Sequence, residues 1–256
     1  MCYDLQYLTR RNADYAKRRG STPQEIQYVE TEVQAIRNTV SPCFHASGYA
    51  HPQLVAFTGE RPLKPLLFSW GLIPFWVRDD ITAMKISSQT INARSETLFE
   101  KPAFREAAKK RRCLIMVDGF FEHHHYKGKA YPFLIRSGND EPLLLAGIWD
   151  SWTSPVSGVE KQTVTIVTTR ANALLSIIHN NPKASEPRMP LILKGDAENQ
   201  WLDPSAVSSG NISEWLLTNE TEHLAAHTVR PVRGKNASGN SPEAIEKYAY
   251  EELSIG

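Results

Sequence analysis

Residues 113–125 read Cys-Leu-Ile-Met-Val-Asp-Gly-Phe-Phe-Glu-His-His-His, and this stretch decides the fold class. Two short apolar runs, 113–117 and 120–124, flank the turn-forming pair Asp118-Gly119, a pattern of consecutive β-strands. Working outward, further β-type runs occupy 54–57, 66–70, 133–136, 143–149, 163–169 and 191–193. Helical stretches are expected at 104–112, 171–178, 197–202 and 213–217, so the elements do not alternate as a doubly wound sheet requires. Thr22-Pro23-Gln24-Glu25 is a capping box with proline at the first helical position, and Ile26, Val29, Val33, Ile36 and Val40 follow at helical spacing. The reading is an α+β single domain over residues 1–233, with a curved, mostly antiparallel β-sheet or open barrel flanked by helices. Residues 234–256 read as a polar tail, linker-like over 234–242 and ending in a short helix.

The 256 residues, 41% of them hydrophobic, can bury a core without covalent staples. Three cysteines, Cys2, Cys43 and Cys113, are an odd number with no paired spacing, which argues against a disulfide framework or zinc knuckle and fits a reducing compartment. Asp4, Arg10 and Arg11 interrupt the N-terminal segment, so no secretory signal is read, and no apolar run reaches the ~18 residues of a membrane span. A soluble, cytoplasmic protein is expected, without a membrane partner. The formal net charge of +1 neither demands nor excludes an anionic partner, because binding depends on local patches.

Four places carry candidate chemistry. Cys2 directly follows Met1, and loss of that methionine would expose a thiol of ordinary pKa about 8.5 beside an α-amine near 7.7 to 8.0. The amine can attack an aldehyde with sulfur closing a thiazolidine, or the thiolate can attack an ester or amide. Asn92 and Arg94 sit two apart, so on an extended segment both project from one face, where an amide can hold a reacting group and a guanidinium a phosphate. The other reading makes Asn92 the cap of a helix starting near Ser95. Glu122 interrupts an apolar β-type run; desolvated, its carboxyl would suit general acid-base work, whereas on a solvated sheet face it would be inert. His179 ends a short apolar helix, either as a proton carrier near phosphate or as a C-terminal cap.

The His123-His124-His125 triplet lacks a second ligand cluster, so neither a metal nor any other cofactor is expected. In Trp70-Gly71-Leu72-Ile73-Pro74-Phe75-Trp76, with Arg78, Arg94 and Arg105 beyond, rings can stack unpaired bases while cations hold the backbone. Core packing is the competing role, although Pro74 argues against a central strand around Trp76. The tracts Lys17-Arg18-Arg19 and Lys109-Lys110-Arg111-Arg112 read as solvated helix ends.

In order and combination, Cys2 after Met1, WGLIPFW from Trp70, NARSET from Asn92, DGFFE ending at Glu122, and His179 ahead of RMPLIL resemble the SOS response-associated peptidase (SRAP) family. The resemblance spans nearly the whole chain. It implies an SRAP-like fold and covalent capture of abasic sites in single-stranded DNA. It assigns Cys2 as the crosslinking nucleophile, Asn92 as the group positioning its adduct, Glu122 as the acid-base residue, and His179 as an assistant beside a phosphate. Trp70, Trp76, Arg78, Arg94 and Arg105 are implied as the DNA-binding surface of a monomer that is nucleoid-associated when bound. Autoproteolytic removal of Met1 and an abasic-site lyase activity are further implications.

Two departures from that family stand out. Tyr3-Asp4 replaces the glycine and arginine of many members, so a basic contact is missing near the start, with Arg10 or Arg11 as the candidate substitutes. The loop 180–187 is lengthened, which is expected to move His179 or reshape the groove. Two other function classes remain open at this level. An N-terminal-nucleophile cysteine peptidase or amidase would turn over peptides without DNA, and a noncatalytic single-strand binding module would bind without Cys2.

Overall fold

The computed structural model describes residues 2–218 and 223–253. Along them run β1 (Asp4–Tyr7), α1 (Asn12–Arg19), α2 (Pro23–Arg37), β2 (Cys43–Ser47), β3 (Gln53–Thr58), β4 (Arg61–Trp70), α3 (Asp80–Gln89), β5 (Asn92–Arg94), α4 (Arg105–Lys110) and β6 (Arg112–Val117). There follow β7 (Gly119–Tyr126), β8 (Lys129–Ser137), β9 (Leu143–Thr153), β10 (Glu160–Arg170), α5 (Ala173–Ile178), β11 (Arg188–Pro190), β12 (Ile192–Leu193), α6 (Asp196–Leu202), α7 (Ile212–Thr218) and β13 (Leu224–Thr228). None of the described helices is long and apolar enough to cross a membrane.

The expected curved sheet or open barrel is a closed one. Strand β10 pairs with β4, β4 with β3, β3 with β6, β6 with β9, and β9 returns to β10. Closure depends on the length of β9 and β10, which pair from Glu160↔Thr153 to Ile166↔Gly147. Strand β10 runs parallel to β4 and β5, while the other described pairings are antiparallel. Every residue of β6 is buried, as are the first six of β9, because helices and the second sheet cover what the barrel does not enclose. These strands therefore read as unbroken apolar runs instead of alternating ones.

The second sheet has the order β13-β8-β7-β1-β2, so β1 is an interior strand. It pairs with β7 through Asp4↔Phe121, Leu5↔Phe120 and Gln6↔Gly119, and with β2 through Asp4↔Ser47 and Leu5↔Ala46. The Asp118-Gly119 turn between β6 and β7 joins the two sheets. Buried Asp118 accepts hydrogen bonds from Thr9 N–H at 2.7 Å, Thr9 Oγ1 at 2.6 Å and Tyr15 Oη at 2.7 Å, and lies 3.5 Å from Arg10 Nε. One carboxylate thus clamps the end of β1 and helix α1 to the turn.

Helix α2 starts at the expected capping box, with Thr22 and Glu25 each bonding the other's backbone N–H. In the two basic tracts Lys17, Lys109 and Lys110 are solvated as expected, while the arginines turn inward. Arg18 and Arg19 both meet Glu198, and Arg112 is buried with its guanidinium 5.1 Å from the Trp201 ring. The guanidinium of Arg112 donates to the carbonyls of Ala108 and Val207, and its backbone joins β6 opposite Ile148. Nor is the linker-like segment loose. Ser238 N–H bonds the Pro231 carbonyl, Asn240 accepts from Phe44 N–H, and Tyr250 Oη donates to Val229, tying residues up to 253 onto the second sheet.

Asp118→Ala leaves Tyr15 Oη and the Thr9 donors without their buried acceptor and should cost about 3–5 kcal/mol in urea unfolding. A loss within ~0.5 kcal/mol, the scale of an ordinary surface substitution, would contradict the clamp.

Candidate active site

The interior position of β1 delivers the start of the chain into a groove between the two sheets. Cys2 is buried there, its Sγ 3.9 Å from the Asp4 carbonyl, and Asn92 Nδ2 donates to the Cys2 carbonyl at 2.7 Å. Asn92 opens the extended β5 segment and does not cap the 3₁₀ turn Ser95–Thr97, whose N-cap is Arg94. Among the described residues its buried Oδ1 meets no hydrogen-bond donor. Burial, and then the carboxylate of Glu122, push the Cys2 thiol well above its ordinary range.

Glu122 lies on β7, both of whose faces are covered. Phe120 points into the main core, while Phe121 packs with Leu134, Val229 and Val232. The carboxyl is therefore buried, not on a solvated face, and its Oε1 accepts the His123 N–H at 3.0 Å while Oε2 lies 3.2 Å from His179 Nδ1. His179 is the C-cap residue of helix α5. Its backbone N–H closes helix α5 on Leu175, and its Nδ1 also sits 2.9 Å from the Arg188 carbonyl. The backbone carbonyl and the carboxylate converge on one ring nitrogen and orient the imidazole.

Two cavities of about 420 Å³ meet over these residues and share Tyr3, His179 and Asn181. One contains Glu122, Asp4 and Arg233; the other contains Arg94, Lys183 and Glu186. The lengthened loop leaves His179 beside Glu122, because Asn180 bonds both the N–H and the carbonyl of His125 and pins the loop to β7. Its effect is on the groove, to which it contributes Asn181 and Lys183.

The acidic Asp4 is neutralised, not left facing phosphate. It pairs with Arg233 and with His45 Nε2 at 3.0 Å. Of the two candidate substitutes, Arg10 is held by Asp118 and Asp140, whereas Arg11 pairs with Asp14 and stays exposed. Arg233 was invisible in the sequence pattern, because its partner lies 229 residues away.

The expected DNA-binding residues divide. Arg94 lines the groove, half-exposed and 4.0 Å from Glu186. Trp76 is 43% exposed and Arg78 is exposed, both on the 71–79 loop, while Arg105 is exposed at the start of α4. Trp70 is a correction to the surface reading: it is fully buried and donates through Nε1 to the Ile91 carbonyl at 2.8 Å, so it supports the β4–β5 corner and offers no face to a base. The 71–79 loop is itself anchored by Gly71 N–H to Val164, Ile73 N–H to Thr163 and Phe75 N–H to Asp150, which leaves Phe75 and Trp76 outside.

Residues 6–235 match the family model described as SOS response associated peptidase (SRAP). Abasic site processing protein YoqW of Bacillus subtilis (strain 168) is 34% identical over 180 residues, covering 70% of this chain and 75% of that protein. Abasic site processing protein HMCES of Gallus gallus is 32% identical over 199 residues, covering 70% of this chain and 56% of its own length. A crystal structure of a protein from Bacteroides thetaiotaomicron superimposes with a TM-score of 0.79 at 30% identity, covering 97% of this chain and 100% of the other.

Trp70→Ala should cost about 3–5 kcal/mol in denaturant unfolding, whereas Trp76→Ala should change stability by less than about 1 kcal/mol; equal losses would contradict the division. Burial also lowers His123 from 6.5 to about 4. Between those values the unfolded chain binds a proton that the folded chain lacks, so stability falls as pH drops through the window. His123→Gln should therefore lose less stability than the parent between about pH 7 and about pH 4.5, and equal losses would contradict the assignment.

Proposed function

Given that the chain belongs to the SOS response associated peptidase family, we propose that it senses abasic sites in single-stranded DNA and captures them covalently through Cys2 once Met1 is gone. Met1 lies outside the described residues; its removal, by an aminopeptidase or by the protein itself, frees the amine. The observation that carries this reading is a chain of contacts beside the groove: Asn92 bonds the Cys2 carbonyl, the Glu122 carboxylate acts on the Cys2 thiol, and Glu122 meets His179, which lines the groove. The names of the relatives, abasic site processing proteins, point to the same substrate.

An abasic deoxyribose is mostly a closed hemiacetal, and a carboxyl proton from Glu122 to the ring oxygen opens it to the aldehyde. The Cys2 amine attacks the aldehyde carbon, and loss of water gives an imine. The thiol then adds its sulfur to the imine carbon and its proton returns to nitrogen, closing a thiazolidine with one water released overall. A thiol held protonated by burial suits this order, in which the amine attacks first and sulfur closes the ring. The unpartnered Oδ1 of Asn92 is an acceptor suited to the ammonium of a freed Cys2. His179, with Arg94 and Lys183 on the same cavity, suits a backbone phosphate. An imine that fails to close can lose the 3′ phosphate by β-elimination, so strand cleavage is the competing lyase path.

Mixed with single-stranded DNA carrying one abasic site, protein lacking Met1 should give a stable adduct by intact mass, absent with undamaged DNA and absent with Cys2→Ala. Glu122→Gln should slow adduct formation by roughly 10²-fold. An adduct of full yield with Cys2→Ala would overturn the proposal.

A further inference from the structure

Tyr3, which lines the groove, and Tyr49, which stacks on it from outside the two cavities, take no part in the chemistry above. Tyr3 directly follows the nucleophile, is half-buried, and lines both cavities. Its ring stacks on Tyr49 with centroids 5.3 Å apart and planes 22° apart, and Tyr49 is 55% exposed. The backbone builds this pair. Gly48 N–H donates to the Tyr3 carbonyl at 2.8 Å, which ties the 3₁₀ turn Gly48–Ala50 to the start of β1. A Cβ on Gly48 would come within 2.8 Å of Ile91 Cγ2 and 3.1 Å of the Trp70 ring. The turn therefore sits flush on the buried indole and cannot settle inward, so Tyr49 stays at the surface against Tyr3.

Burial and the neighbouring Tyr49 raise the Tyr3 hydroxyl to about 12, so Tyr3 adds no negative charge beside a phosphate backbone. A neutral, flat aromatic face next to the cations of the groove, Arg94, Lys183 and Arg233, is the arrangement that holds an unpaired base while its backbone is gripped. We propose that Tyr3 and Tyr49 form a stacking shelf for the nucleobase next to the lesion, so that the abasic sugar and not a base comes to rest over Cys2. The proposal rests on the reading of the protein as an abasic-site sensor. A missing base leaves its neighbour with one bare face, and the Tyr49 ring covers that face whatever the base, because every base presents a π surface.

The test uses single strands carrying 2-aminopurine on one side or the other of a tetrahydrofuran abasic analogue, which has no aldehyde and cannot crosslink. Fluorescence should be quenched on one side at saturation by the parent and by Tyr49→Phe, more strongly by Tyr49→Trp, and not by Tyr49→Leu. With a true abasic strand, Tyr49→Leu should raise the concentration for half-maximal crosslinking about 5-fold or more. Equal quenching by Tyr49→Leu, no quenching by the parent on either side, or an unchanged half-maximal concentration would reduce the pair to packing of the N-terminus and overturn the shelf. Quenching that depends on Tyr49 without any crosslinking by the parent would support the shelf and overturn the chemistry assigned to Cys2 instead.

Discussion

The pairing of β1 between β2 and β7 is the constraint on which the site depends. The first residues of a chain usually fray, because few contacts hold them. Here the ladder on both sides of Asp4 and Leu5 removes that freedom and fixes the following residues against β7, the strand that carries Glu122. An interior strand must bury its polar side chains with partners. Asp4 finds Arg233 and His45, and Gln6 accepts from the Arg136 guanidinium at 3.0 Å and donates to Thr9 at 2.7 Å. Breaking those partners would leave charged or polar groups unpaired in the interior, which is the larger cost in any such network.

The distribution of arginines follows from the same economy of charge. Arg10, Arg18, Arg19, Arg112 and Arg188 are consumed inside the fold, Arg188 by a bidentate pair with Glu96 at 2.7 and 2.8 Å. The cations left along the groove are few, and two of them are already shared, Arg94 with Glu186 and Arg233 with Asp4. A strand entering the groove therefore competes with acidic side chains for its contacts. That competition makes the positive field local, which a net charge of +1 could not reveal.

The legible parts of the sequence were those whose residues act through near neighbours. The capping box at Thr22 and the apolar runs of β6 and β9 can be read without knowing the fold, because hydrogen bonds three residues apart and burial of both faces leave marks in the local pattern. The motifs at Cys2, Asn92, Glu122 and His179 could be singled out, but not their meeting, which depends on long-range strand pairing. Other elements left no local mark. Strand β1 reads Asp-Leu-Gln-Tyr, half polar yet fully buried, and helix α3 leaves Ile81 and Met84 exposed, so it lacks the apolar stripe that announces a helix. Barrel closure by β9 and β10, and the burial of Trp70 in place of a surface role, are outcomes of tertiary packing for which neither segment carries a separate signal.

The central claim is that both nucleophiles of one residue end on the same sugar carbon. The most direct measurement is to digest the DNA and protein of a purified adduct and determine the mass of the N-terminal peptide, with and without borohydride and iodoacetamide treatment. The expected product is a peptide beginning at Cys2, bearing the deoxyribose remnant less one water, unchanged by borohydride and closed to alkylation because the sulfur is bonded. A peptide that gains two hydrogens with borohydride and accepts iodoacetamide would identify an open imine with a free thiol. That result, or a remnant attached to any residue other than Cys2, would contradict it.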